Sequence, residues 1–270
     1  MVKLIALDMD GTLMSPDHVT VSEENRKALK EAHDKGIKIS IATGRTLSII
    51  GNVCEQVPET DYIIFSNGAG VYDRRENKVI YVNPMKWEFC EPIIRYLDSN
   101  PLMTEIYCDG KSYMRSDSVK YLDPKLYPEE FLDMIIKGTN FCGDVCDELK
   151  GKDIEKFTIH FGDAATLMKV KNYLENLEGI ALTASFEASL EFTAASADKG
   201  NALEGMCRIL GIDASKCAAF GDADNDLPMI EFSGYGFAMG NATENVKKAA
   251  KYVTKTNGED GVAAGIRNII

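Results

Sequence analysis

Short apolar runs alternate with longer amphipathic stretches at both ends of this chain, and the middle breaks the alternation. That pattern limits the possible folds more than any other feature. Leu4–Leu7 is an apolar run, and Val21–Lys35 follows with Ala28, Leu29 and Ala32 at helical spacing. Thr20 with Glu23, or Ser22 itself, supplies a start signal, and Gly36 a stop. Then come "IKISIATGR", a helical stretch over about Thr46–Gln56, and the strand "DYIIFSNGAG". Strand, helix, strand, helix, strand calls for a parallel sheet with helices on its faces. The pattern resumes with the strand-like "EFTAAS", the helix "KGNALEGMCRILG" and the strand "KCAAFGD". A short helix "DLPMIEFS", a strand "YGFAMG" and the helices "ENVKKAAKY" and "DGVAAGIRNII" complete it.

The middle is of another kind. "LMTEIYCDGKSYMRS" reads as a hairpin turning at Asp109-Gly110, "PEEFLDMIIKG" as a helix, and "IEKFTIHFG" as a half-buried strand. "ATLMKVKNYLENLEG" is helical and "IALTASFEASLEF" is more strand. Asn83-Pro84 opens this stretch, and the chain leaves it near Phe186–Ser189. The expected architecture is a three-layer α/β core with a parallel sheet, made of 1–82 and 188–270, and an inserted α+β domain over 83–187.

Composition excludes several functions. A net charge of −12 lacks the basic footprint of a nucleic-acid binder. No apolar run approaches the roughly 20 residues of a membrane span, and the N-terminal apolar stretch is too short for a signal peptide. A cytoplasmic protein is the expectation. The seven cysteines have no regular spacing; Cys142 and Cys146 are separated by three residues with no histidine near. Small buried thiols account for them better than zinc. Three histidines leave little room for a histidine metal cage.

Ligands of open α/β sheets bind at the carboxyl ends of the strands. Four expected strands end in polar residues, at Asp8-Met9-Asp10-Gly11-Thr12, Thr43-Gly44-Arg45, Ser66-Asn67-Gly68 and Gly221-Asp222-Ala223-Asp224-Asn225-Asp226. Parallel strands bring these tips to one edge. Asp8 and Asp10 alone could cap a turn, but with Asp222 arriving from another strand they call for a hard cation. An all-oxygen donor set suits Mg²⁺. Thr43 and Gly44 stand where a helix should begin, a place fit for an anion or for an ordinary N-cap. Lys199 opens a helix, where the dipole disfavours a cation. Either Asp198 pairs with it or caps the helix, or its ammonium neutralises a phosphoryl group. Asn67 and Asn225 could orient substrate or satisfy turns; Arg45 could hold an anion or make an ion pair. On "IEKFTIHF", Lys156, Thr158 and His160 share one face. His160 or Lys156 is a candidate substrate contact, the other reading being a solvated sheet face. Glu105, Tyr107 and Arg115 are weaker candidates.

In this order the four motifs resemble those of the haloacid dehalogenase (HAD) superfamily of phosphohydrolases. "DMDGTL" is similar to its first motif, Thr43 to its second, Lys199 to its third and "GDADND" to its fourth. With "ATGR", "SNGA", "AMGNA" and "EDGVA", the insert's position resembles the Cof-type branch with a large α/β cap. The resemblance implies a Mg²⁺-dependent phosphatase of small phosphorylated metabolites, sugar phosphates or phosphorylated cofactors. It implies Asp8 as nucleophile forming an aspartyl-phosphate and Asp10 as general acid/base. Asp8, the Asp10 carbonyl and Asp222 would hold the metal, with Asp226 a ligand through water or behind the first ligands. Met9, Thr43, Gly44, Lys199 and Asn225 would hold the phosphoryl oxygens. Alternatives are a phosphotransferase or mutase using the same intermediate, and a phospho-accepting regulatory protein without turnover.

Overall fold

A computed structural model describes residues 1–121, 129–161, 163–183 and 189–270. The chain forms two compact units. The first comprises Met1–Gly44, Asn52–Val82 and Asp198–Ile270; the second comprises Arg45–Gly51 and Asn83–Ala197.

The first unit starts with strand β1 (Leu4–Asp8), buried at every position. Helix α1 (Glu23–Asp34) follows because Ser22 caps it, its side chain accepting from the Asn25 amide at 3.2 Å. Ala28, Leu29 and Ala32 form its buried face. Strand β2 (Lys38–Ala42) comes next. The helix expected over Thr46–Gln56 does not form as one element. Leu47–Ile49 is a 3₁₀ turn that groups with the second unit, Gly51 takes a left-handed φ of 74°, and only Val53–Gln56 (α2) is helical. The physical reason lies in the partners of Ser48. Its amide donates to the Gly110 carbonyl at 3.0 Å and its hydroxyl to the Gly138 carbonyl at 3.0 Å, so its backbone is drawn away from a helical ladder. Strands β3 (Thr60–Phe65), β4 (Gly70–Asp73) and β5 (Lys78–Val82) end this half.

In the second unit the chain runs through α3 (Trp87–Asp98), β6 (Leu102–Cys108), β7 (Lys111–Arg115) and α4 (Glu129–Gly138). It continues through β8 (Thr139–Cys142), α5 (Val145–Glu148), β9 (Lys156–Phe161), α6 (Ala164–Glu175), β10 (Ile180–Thr183) and β11 (Ser189–Ala194). The sheet order is β10-β11-β9-β6-β7-β8. The β6–β7 hairpin turns at Asp109-Gly110 as expected. "EFTAAS" departs from expectation. It belongs to β11, which pairs antiparallel with β9 and β10, and Phe192 stacks on Phe157 at 4.4 Å. The units therefore part after Ala197 rather than near Phe186–Ser189; residues 184–188 of that expected exit lie outside the described residues.

The first unit resumes with α7 (Lys199–Leu210), β12 (Cys217–Gly221), α8 (Leu227–Phe232), β13 (Tyr235–Ala238), α9 (Glu244–Ala249), β14 (Tyr252–Val253) and α10 (Gly261–Arg267). Its sheet has the order β14-β13-β12-β1-β2-β3-β4-β5. The first six strands are parallel, and β4 and β5 add antiparallel at one edge. β1 and β12 sit side by side at its centre and are buried throughout. Cys207 and Cys217 are buried thiols, their sulfurs 3.2 Å apart. Among the described residues no helix is long and apolar enough to cross a membrane.

Candidate active site

Strand register decides what meets at the carboxyl edge of the first unit's sheet. Asp8 lies opposite Ala42 of β2, and Leu7 opposite Phe220 of β12. Asp8, Thr43 and Asp222 therefore leave three adjacent strands at nearly the same level. Asp8 is buried, and a lone buried carboxylate is costly. Its partner comes from α7, where Lys199 is only 1% exposed. The Lys199 ammonium donates to Asp8 Oδ1 and to Asp226 Oδ1, both at 2.6 Å. Asp198 is the helix cap, accepting from the Asn201 amide at 2.7 Å. The cation at an unfavourable helix end is held by two carboxylates from outside the helix.

Asp8, Asp222 and Asp226 each offer an oxygen, all within 4.8 Å of one another. Burial, reinforced by Asp226, pushes the Asp8 carboxyl well above its usual range; Lys199 opposes this. Burial likewise pushes Asp222 up to about 6, with Asp226 adding and the Thr12 hydroxyl opposing. For Lys199, burial alone would lower the pKa, but Asp226 and Asp8 outweigh it and hold the ammonium above its ordinary range. Three carboxylates with one lysine leave excess negative charge among oxygen donors. That donor set fits a hard divalent cation such as Mg²⁺. Asp226 is the most committed member: Oδ1 takes Lys199, and Oδ2 accepts from the amides of Asp222 at 2.9 Å and Ala223 at 3.1 Å.

Met9–Leu13 forms a tight turn directly after β1, closed by the Met14 amide on the Met9 carbonyl at 2.9 Å. Met9 is buried in it. The Asp10 carboxylate is half-exposed, 3.7 Å from His18 Nδ1, and lies outside the three-acid cluster. The spacing of the sequence gives Thr12 no role of its own, yet its hydroxyl donates to Asp222 Oδ1 at 2.8 Å. Thr43 is buried, but no helix begins at Thr43-Gly44; that expectation is corrected. Instead Thr43 bridges to β3 and its tip, donating to the Ile64 carbonyl at 2.9 Å and accepting from the Asn67 amide at 3.0 Å. Ser66 and Asn67 both have left-handed φ, 51° and 55°. Asn225 Nδ2 donates to Asn67 Oδ1 at 3.4 Å, so these two predicted residues meet.

Arg45 begins the Arg45–Gly51 segment of the second unit. Lys156 and His160 lie on β9 of that unit, and the solvated-face reading does not hold: they are 2% and 1% exposed. Lys156 pairs with Glu191 at 2.7 Å, and His160 Nε2 is 2.8 Å from Glu105 Oε1. Glu105 Oε2 also accepts from the Tyr107 and Ser112 hydroxyls at 3.3 Å. Arg115 pairs with Asp98 and Asp117.

The sequence pattern of the haloacid dehalogenase-like hydrolases matches residues 5–266. A phosphatase of 5-amino-6-(5-phospho-D-ribitylamino)uracil from Bacillus subtilis, YcsE, is 32% identical over 99% of this chain and 95% of its own length. The crystal structure of a haloacid dehalogenase-like hydrolase from Bacteroides thetaiotaomicron superposes with a TM-score of 0.86 at 31% identity, covering 100% of both chains. The subclass IIB sugar phosphatase BT4131 superposes with a TM-score of 0.80 at 27% identity, covering 99% of this chain and 98% of its own.

Proposed function

The chain belongs to the haloacid dehalogenase-like hydrolases, and on that premise we propose that it is a Mg²⁺-dependent phosphatase of small phosphorylated metabolites that works through an aspartyl-phosphate on Asp8. The observation that carries this reading is the buried carboxylate of Asp8 at a strand tip, bonded to Lys199 and grouped with Asp222 and Asp226. Asp8 attacks phosphorus and the ester oxygen departs, taking a proton from Asp10. Asp10 then accepts a proton from the water that cleaves the aspartyl-phosphate, which releases phosphate and restores both acids. The Met9 amide, Thr43, Gly44, Lys199 and Asn225 hold the phosphoryl oxygens, so most of the rate comes from placement and charge.

Asp8, Asp222 and the Asp10 carbonyl are the residues for the metal. Asp226, whose oxygens already accept three hydrogen bonds, acts through water or by holding the loop. Bound Mg²⁺ would supply positive charge against phosphate and carboxylates alike. For substrates, the named activities of YcsE and BT4131 support a phosphorylated ribityl or sugar compound. Asn67, at the tip of β3, is the first-unit residue we assign to reading the leaving group.

The test is phosphate release across a panel of phosphorylated metabolites, with Mg²⁺ and with chelator, and no added acceptor. Wild type should turn over only with the metal. Asp8→Asn should release no phosphate while keeping its fold, and near-normal release from it would end the assignment.

A further inference from the structure

Two stretches of the first unit have no part in the chemistry above: "AMGNA" after β13 and the "TNGEDGVA" turn before α10. Both end on the catalytic turn. At Gly11 that turn runs with φ of 84° and so close to Asp222 that a Cβ would lie 2.4 Å from Oδ2. No side chain can wedge it there, so its placement depends on hydrogen bonds from elsewhere. Asn241 Nδ2 donates to the Gly11 carbonyl at 2.8 Å. Asn257, which is buried, donates from Nδ2 to the Met14 carbonyl at 3.0 Å. The two are joined, the Asn257 amide donating to Asn241 Oδ1 at 3.0 Å. Each is fixed from behind. The amides of Met239 and Gly240 donate to the carbonyls of Gly221 and Lys255, at 3.0 and 2.9 Å, and the Thr256 hydroxyl donates to Glu259 at 2.8 Å.

We infer that Asn241 and Asn257 are positioning residues for the phosphatase reaction, a two-asparagine strap that sets the backbone of residues 11–14. The hydrogen bonds of both side chains go to backbone groups, those of Gly11, Met14 and Asn257. They act through the Gly11–Thr12 peptide, which carries the Thr12 hydroxyl to Asp222 and follows directly on Asp10. This inference rests on the function proposed above.

Asn241→Asp separates positioning from mere support. It keeps the shape and the oxygen that accepts from Asn257, and it puts a second oxygen against the Gly11 carbonyl. The expected result is a kcat lower by tenfold or more, consistent with the roughly hundredfold cost of small misplacements, with KM within about threefold. The loss should be greater on alkyl than on aryl phosphates, because Asp10 is displaced. Asn241→Ala, which adds no charge, should fall in the same direction by less. Amide exchange supplies a readout independent of turnover. The Met14 amide, which closes the turn, should exchange at least tenfold faster in Asn241→Asp and Asn257→Ala, while β1 amides stay protected. Unchanged exchange at Met14 overturns the inference. So does a kcat within twofold of wild type in Asn241→Asp. If wild type itself releases no phosphate, the proposed function fails, and the exchange measurement still decides the strap.

Discussion

Withdrawing divalent metal should make this protein less stable as pH rises, and Asp222 allows the size to be worked out. Burial holds its carboxyl at about 6 against an ordinary 3.8, with Asp226 adding and Thr12 and Lys199 opposing. The unfolded chain gives up this proton near pH 4 and the folded chain only near pH 6. Between those values the folded state binds more protons, so stability falls with rising pH and levels off above about pH 7. Two units correspond to about 3 kcal/mol, an upper figure because Asp222 is partly exposed. Asp8, also raised, pushes the same way. Lys199 is charged in both states throughout this window and contributes no slope. The assay is thermal unfolding in chelator, wild type against Asp222→Asn, at pH 4 and pH 8. The asparagine keeps an acceptor for Thr12 and never has to ionise. It should match wild type at pH 4 and exceed it by up to about 3 kcal/mol at pH 8, roughly 6–10 °C for a chain this long. Mg²⁺ at pH 8 should raise the wild type and leave the variant nearly unmoved. A wild-type-to-variant difference that is equal at the two pH values would refute the reasoning.

Further outcomes follow from single contacts. Asp10→Asn should slow alkyl phosphates far more than aryl phosphates, measured as kcat on matched substrates; an equal loss would remove it as the acid. Lys199→Ala should cost roughly 3–5 kcal/mol in urea unfolding, because Asp8 and Asp226 are left buried without their cation. Replacing Lys156 and His160 together by alanine leaves Glu191 and Glu105 buried without those partners and should lower stability in urea unfolding; an unchanged midpoint would count against both pairs.

The legible part of this site was the part that strand direction dictates. Asp8, Thr43, Asn67 and Asp222 each follow an apolar run, and parallel pairing carries them to one edge whatever the details. Lys199 was legible for another reason, since a cation at a helix start is an electrostatic anomaly that asks for a partner. Asn241 and Asn257 were not legible as a pair. Their bonds reach the Gly11 and Met14 carbonyls across more than two hundred residues, and an asparagine in a turn has an adequate local explanation. "EFTAAS" reads as strand-like, but a strand-like run carries no information about which sheet it joins. Thr46–Gln56 reads as one helical stretch; the bonds Ser48 makes to Gly110 and Gly138 lie outside any local window.

The order in which the ribosome delivers these residues has a consequence of its own. Asp8 emerges almost first, whereas Lys199, Asp222 and Asp226 emerge after the bulk of the second unit. Until then β1 has β2 beside it and nothing in the place of β12. The central pairing of β1 with β12 and the bonds of Lys199 to Asp8 and Asp226 thus join the first and last parts of the chain, whereas the second unit's sheet is built from contiguous sequence. Long-separated contacts of this kind are slow to form. The acidic cluster is thus a late product of folding, and a chain cut short anywhere before α7 lacks the lysine that Asp8 is bonded to in the folded protein.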